Sequence, residues 1–211
     1  MTLLNIKEDY HVHCNYNDHS SAELTIPNAI RRAEEIGLKT MAFTEHVRKT
    51  SDWIPRYLKE LELNIDSPVK IIPGFEAKIF ADGSINCPNE YSKNYFLVAS
   101  FHTLYGDKQI WVNALKKAIE NPDVNVIGHL APEATFTLEV SEIDMLASLI
   151  VKNKKLIELN AKYHRPPHEW TLIFKKRGVQ FCLGSDAHSL GEIGQFEKIL
   201  DLVSLVDSTI S

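Results

Sequence analysis

The chain has 211 residues, of which 44% are hydrophobic, and a formal net charge of −5. This length and apolar content predict a single globular domain over residues 1–211 with a substantial core. The acidic balance gives no general positive field, so nucleic acid is a disfavoured partner. The cysteines form no CxxC pair and no apolar run reaches about 18 residues, so we expect a cytoplasmic protein without a membrane partner. The oligomeric state stays open.

Short β-branched or aromatic runs alternate with amphipathic stretches along the chain. The predicted strands are Ile6–His13, Thr40–His46, Val69–Phe80, Tyr95–His102, Val124–Leu130, Lys155–Ala161 and Val179–Gly184. The predicted helices are Pro27–Ile36, Lys108–Glu120, Ser141–Lys152, Glu169–Lys176 and Gly191–Val206, with a partial helix within Ser51–Ser67. This alternation predicts parallel β/α units, arranged as a closed barrel or as an open doubly wound sheet. No glycine-rich phosphate loop supports a nucleotide-binding version of the open sheet.

The stretch "EDYHVH" places two histidines one residue apart behind an aspartate. Side chains at alternate positions of a strand point to the same face, so Asp9, His11 and His13 should project together. Adjacent imidazoles on one face suit a metal site, although surface histidines on a polar edge strand would give the same pattern.

Polar side chains recur at the ends of the other predicted strands. They are Glu45 and His46, Glu76, His102, His129, Glu158 and Asn160, and Asp186 and His188, with His19 just beyond the first strand. A single histidine after an apolar strand is usually a core or rim residue. Their recurrence at strand after strand favours one shared site, because the carboxyl ends of barrel strands meet at one mouth.

Imidazoles and carboxylates without thiolates suit Zn²⁺, Mn²⁺ or Fe²⁺ better than Ca²⁺ or Mg²⁺. About nine such side chains are enough for two or three ions, and Glu76 and Asp186 are candidates to bridge them. Ions in such clusters activate water near neutral pH, so hydrolysis is the expected chemistry. The chain has no GxSxG elbow that would indicate covalent serine catalysis.

Together these motifs resemble the PHP family, named for its polymerase and histidinol-phosphatase members. The matching stretches are "DYHVH", "FTEH", "GFE", the passage "ADGSINCPNEYSKNYFLVASFH", "GH" on the fifth strand and "GSDAH" on the last. The resemblance spans about residues 6–191. It implies a distorted (β/α)7 barrel that forms a PHP-type metallophosphoesterase domain with a trinuclear site.

Carried over residue by residue, the resemblance implies three ligand sets. They are His11, His13, Glu76 and Asp186; then Glu76, His102 and His129; and then His19, His46 and His188. Either Asp18 or His19 could be the third ligand of the first motif, and we prefer His19, with Asp18 orienting a ligand. Asp9 and Glu45 are expected to orient ligand imidazoles rather than to bind metal. Cys14 departs from the family's usual Thr or Ser.

The predicted activity is hydrolysis of a small phosphate monoester, histidinol-phosphatase-like, by a metal-activated hydroxide. Asp186 or His188 would handle the proton, and Arg48 and Arg165 are candidates to bind the phosphate. Two alternatives remain. One is a nuclease or phosphodiesterase, which a positive groove beside the metals would favour, and the other is a non-catalytic metal-binding regulatory module.

Overall fold

Seven parallel strands form the centre of the molecule. The computed structural model describes residues 4–132 and 136–208. The strands are β1 (Glu8–Val12), β2 (Thr40–Val47), β3 (Lys70–Lys78), β4 (Phe96–Ser100), β5 (Val126–Ile127), β6 (Leu156–Asn160) and β7 (Gln180–Gly184). They lie side by side in chain order, so every connection is a β-to-β crossover.

The first and last strands meet and nearly close the sheet. A parallel bridge joins Val12 to Ala187. The backbone N–H of Asp186 donates to the carbonyl of His11 at 2.8 Å, and that of His13 donates to the carbonyl of Ala187 at 3.1 Å. These contacts lie at the carboxyl ends of the strands, beside the polar residues. The predicted distorted (β/α)7 barrel is therefore confirmed.

The helices are α1 (Ile26–Glu35), α2 (Ile54–Leu63), α3 (Asn89–Ser92), α4 (Lys108–Glu120), α5 (Val140–Lys152), α6 (His168–Arg177) and α7 (Leu200–Asp207). Helix α1 begins after Thr25, whose side chain accepts from the N–H of Asn28, and it ends before Gly37, which has φ 75°. The apolar faces of the helices pack on the barrel around buried residues such as Phe43, Phe75 and Trp111. Within the described ranges, no helix is long and apolar enough to cross a membrane.

Most predicted elements differ from the structure by one or two residues at their ends, and two differ by more. The fifth strand covers only Val126–Ile127. The continuous helix predicted for Gly191–Val206 is wrong, since this segment contains short 3₁₀ turns before α7 begins at Leu200. Between the turns, Gly194 has φ 68° and donates its N–H to the buried Asp9 carboxylate at 3.0 Å. This contact with the first strand fixes a bend that helical spacing does not reveal.

Candidate metal centre

Glu76 on β3 lies at the centre of a ring of histidines. The parallel register places Glu76 beside His46 of β2. The side chain of Glu76 is buried, and one or other of its oxygens lies close to five imidazoles. The distances are 3.5 Å to His11 Nε2, 3.6 Å to His13 Nε2, 2.7 Å to His46 Nδ1, and 2.9 Å to both His102 Nε2 and His129 Nε2.

Asp186, which follows β7, closes the ring next to β1. His13 Nε2 lies 3.3 Å from Asp186 Oδ1, and the ring centroids of His11 and His13 are 5.0 Å apart. Asp186 and His129 have positive φ values of 55° and 28°, which non-glycine residues seldom adopt. Such backbone strain persists where the surroundings enforce it, typically at functional sites. The strand ends therefore aim these side chains into one cluster.

Ligand atoms within this cluster are close enough to share ions. Among the described residues, three groups have one nitrogen or oxygen per residue within 4.8 Å of one another. They are His13, His46 and His188; His11, His13 and Glu76; and His46, Glu76 and His102. His11 Nε2 and both ring nitrogens of His13 are buried and make no hydrogen bond. Buried polar atoms without partners are costly, and lone pairs directed at cations would account for them.

The buried carboxylates are held in their charged form. Burial alone would raise the pKa of Glu76, but the charges of His102, His11 and His46 outweigh it and hold that pKa well below its usual value. Burial also acts to raise the pKa of Asp186, and His11 and His13 reverse the effect, so this pKa is lowered. Both groups are therefore anionic at neutral pH, as metal ligands require.

The imidazoles differ in their affinity for protons. Burial would lower the pKa of His13, but the carboxylates of Asp186 and Glu45, 3.3 and 3.7 Å from its ring nitrogens, raise it to about 9. Burial and the charge of His13 lower the pKa of His188 to about 4. His188 is thus neutral at pH 7, whereas His13 carries a proton that a cation would have to displace.

The two predicted orienting acids, Asp9 and Glu45, differ in what they contact. Asp9 is fully buried and accepts from the backbone N–H groups of His11, Ser185 and Gly194 at 3.2, 3.0 and 3.0 Å. It fixes the backbone that carries the cluster, and in the described ranges it makes no hydrogen bond or ion pair with an imidazole ring.

Glu45 lies next to His13 and Cys14, at the end of β1. Its Oε1 is 3.7 Å from His13 Nδ1, and it accepts from the backbone N–H groups of Cys14 and His46 at 3.0 and 2.7 Å. Cys14 is buried, and its Sγ lies 3.1 Å from the same carboxylate. Burial and the adjacent Glu45 raise the pKa of the Cys14 thiol well above its usual value, so the sulfur stays protonated.

Asp18 and His19 lie at the rim of the cluster. Both are exposed and line the same cavity. The His19 ring centroid is 6.0 Å from that of His46, in an edge-on arrangement. His19 therefore lies at the outer edge of the proposed third ligand set, beside His46. In the described ranges, no hydrogen bond or ion pair joins Asp18 to a proposed ligand.

Glu158 on β6, one of the strand-end polar residues for which the sequence indicated no particular role, is a member of the site. Its Oε1 lies 2.7 Å from His11 Nδ1, and its Oε2 accepts from the backbone N–H of His129 at 2.6 Å. Two glycines make room for this side chain. A Cβ at Gly184 would lie 2.8 Å from Glu158 Cδ, and one at Gly128 would lie 3.2 Å from Glu158 Oε2. The sequence feature that points to this residue is a glutamate within the apolar run "LIELN".

An open cavity of about 910 Å³ lies above the cluster, a size that suits a small molecule. Arg48 lines it together with Lys78 and Lys162, and a phosphate-binding role for Arg48 stays a prediction. Arg165 is not among the lining residues, and its backbone pairs with Asn160 instead. Lys162, which the sequence reasoning did not select, therefore occupies the place at the cavity that was expected for Arg165.

The barrel and its ring of imidazoles and carboxylates define the class of α/β-barrel enzymes with a metal centre at the carboxyl ends of the strands. The model of the PHP domain matches residues 9–185. The chain therefore belongs to the PHP family, whose members are metal-dependent.

Similar proteins cover nearly the whole chain. A "Probable phosphatase" of Clostridium acetobutylicum is 26% identical over 94% of this chain and 86% of its own length. A "Probable phosphatase" of Aliivibrio fischeri is 28% identical over 97% and 86%.

Solved structures agree on the fold. The "putative histidinol phosphatase" of Listeria monocytogenes superposes with a TM-score of 0.72 at 17% identity, over 89% of this chain and 97% of that one. A chain of an archaeal ribonuclease P complex with mature tRNA gives 0.50 at 15% identity, over 91% and 76%. At these identities the likeness concerns the barrel alone.

Proposed function

We propose that this protein is a metal-dependent phosphatase that hydrolyses a small phosphate monoester. The observation that carries the proposal is the convergence of five imidazoles on the single buried carboxylate of Glu76. The phosphatase names of the relatives and the family membership support the same reaction class.

The chain's own groups fit a cluster of two or three Zn²⁺, Mn²⁺ or Fe²⁺ ions. The proposed ligand sets are His11, His13, Glu76 and Asp186; then Glu76, His102 and His129; and then His19, His46 and His188. The unpartnered nitrogens of His11 and His13 support this assignment, as does the absence of a cysteine thiolate from the donor set. When bound, such ions polarise the phosphate and activate water for its attack.

Side chains around the ligands would perform the remaining steps. Glu158 holds the His11 ring so that Nε2 faces the cluster. Arg48 at the cavity wall would bind the phosphate of the substrate. Asp186 or His188 would take up the proton released when water attacks phosphorus.

The test is a substrate panel on protein loaded separately with Mn²⁺, Zn²⁺ or Fe²⁺. Phosphate monoesters with small leaving groups are compared with nucleotide diesters, and released phosphate is measured. We expect turnover of monoesters by the wild type and by His168→Ala, because His168 is exposed at the start of α6. His102→Ala should lose most of the activity, because it removes one of the imidazoles next to Glu76.

The panel also separates the alternatives. If diesters are cleaved while monoesters stay intact, the protein is a phosphodiesterase and the proposed phosphatase activity is wrong. Tight metal binding without turnover of any ester would favour a non-catalytic module. Equal activity in His102→Ala and wild type would show that hydrolysis does not use this cluster.

A further inference from the structure

Lys162 follows β6 in a turn that the backbone holds in place. The N–H of Asn160 donates to the carbonyl of Arg165 at 2.8 Å, and the N–H of Arg165 donates back at 3.3 Å. The Asn160 side chain accepts from the N–H of Tyr163 at 2.9 Å. The N–H of Ala161 donates to the carbonyl of Gly184 at 2.9 Å, which ties the turn to β7. Lys162 therefore projects from a fixed base.

The Lys162 ammonium reaches two of the proposed metal ligands. Nζ lies 2.9 Å from His188 Nδ1 and 3.4 Å from Asp186 Oδ1. The side chain is 31% exposed and lines the cavity, and Nζ lies 5.5 Å from the centroid of the Tyr163 ring. Of the cations that line the cavity in the described ranges, Lys162 alone contacts these ligands.

A divalent ion on Asp186 or His188 cannot share this place with the ammonium. Like charges at such short separation repel strongly in a partly buried site. Lysine carries its charge on a flexible four-carbon stem, so the ammonium can move outward while the turn stays fixed. The adjacent free space is the cavity above the cluster, where a substrate phosphate would lie.

We propose that Lys162 is a substrate-binding residue that selects monoesters. Its ammonium pairs with Asp186 and His188 until divalent ions take these groups, and it then binds a non-bridging oxygen of the phosphate. The proposal rests on the proposed function. One added positive charge favours a monoester dianion over a diester monoanion, so Lys162 contributes to the choice between the two substrate classes.

The test compares Lys162→Met, Lys162→Arg and a matched surface control, Lys59→Met, on the exposed side of α2. Inorganic phosphate is titrated into each Mn²⁺-loaded protein by calorimetry, and metal content is measured separately. We expect Lys162→Met to weaken phosphate binding about 10- to 100-fold, as loss of a charged hydrogen bond does. The Arg variant should recover most of it, and bound Mn²⁺ should be equal in all four proteins.

Kinetics add a second reading. In Lys162→Met, the KM for a monoester should rise as phosphate affinity falls, while the KM for a diester changes less. Phosphate affinity within twofold of wild type would overturn the proposal, and so would a loss of bound metal, which would give Lys162 a structural role. If phosphate binding depends on Lys162 but the wild type hydrolyses no ester, this inference stands and the proposed function fails.

Discussion

Glu158 Oε1 lies 2.7 Å from His11 Nδ1, with both side chains buried inside the barrel. This contact fixes which nitrogen of His11 carries the proton, and so directs Nε2 towards Glu76. The opposite oxygen of Glu158 accepts from the backbone of His129, a second proposed ligand. One glutamate on β6 therefore contacts a proposed ligand on β1 and another that follows β5.

Replacing Glu158 should weaken metal binding without removing a proposed ligand. We expect Glu158→Gln to reduce metal affinity about 10- to 100-fold, as loss of an outer hydrogen-bond partner does. Competition with a chelator measures this change. Glu62→Gln, on the exposed side of α2, is the matched control and should bind as wild type does. An unchanged metal affinity in Glu158→Gln would contradict the role of Glu158 in orienting His11.

The glycine of "GSDAH" makes room for that glutamate. A Cβ at Gly184 would lie 2.8 Å from both Glu158 Cδ and His11 Cβ. We expect Gly184→Ala to lower the free energy of unfolding by about 1–3 kcal/mol, a typical cost of overpacking. Gly191→Ala is the matched control, because its Cβ would meet nothing within 4 Å. Thermal denaturation should separate the two variants, and equal melting temperatures would contradict the packing argument.

The stability of the metal-free protein should depend on pH through His13. Its pKa is raised to about 9 in the folded chain, against 6.5 for the ordinary side chain. Because the folded protein binds this proton more tightly, protonated His13 stabilises the fold fully below about pH 6.5. This contribution is lost as the pH rises through about 9. We expect the melting temperature in chelator to fall over that interval.

Bound metal should cancel this loss of stability. A cation needs the deprotonated ring, so its apparent affinity should rise about tenfold per pH unit between pH 7 and 9 for each proton displaced. Melting curves with and without Mn²⁺ should therefore diverge as pH rises. A metal-induced shift that is the same at pH 7 and at pH 9 would contradict proton displacement from His13.

Arg48 should contribute to substrate binding. It follows His46 after β2 and lines the cavity. We expect Arg48→Ala to raise the KM for a monoester about tenfold with little change in kcat, because it removes a charged contact to the phosphate. Arg31→Ala, on the exposed side of α1, is the control and should leave both constants unchanged. Equal KM values would exclude Arg48 from the binding site.

The regular part of the fold could be predicted because it depends on local patterns. Apolar runs give the seven strands, and Thr25 and Gly37 mark the ends of α1. The histidine positions could be predicted because the carboxyl ends of parallel strands converge. The convergence around Glu76 follows from that geometry.

Features that depend on distant contacts could not be predicted in this way. The bend at Gly194 exists because its N–H meets Asp9, near the other end of the chain. The contact between Lys162 and Asp186 depends on the turn after β6, which is hydrogen-bonded to β7. The role of Glu158 becomes visible only once Gly184 is placed beside it.

The seam between β1 and β7 ties the enzyme's chemistry to the integrity of its fold. Val12 and Ala187 join there, and the proposed ligands His13 and Asp186 are their immediate neighbours. A cation bound by both His13 and Asp186 would link β1 to β7 and so hold the barrel closed. Loss of β7 would then open the barrel and remove a ligand from the proposed metal site at the same time. A chain without β7 would therefore have neither a closed barrel nor the complete metal site.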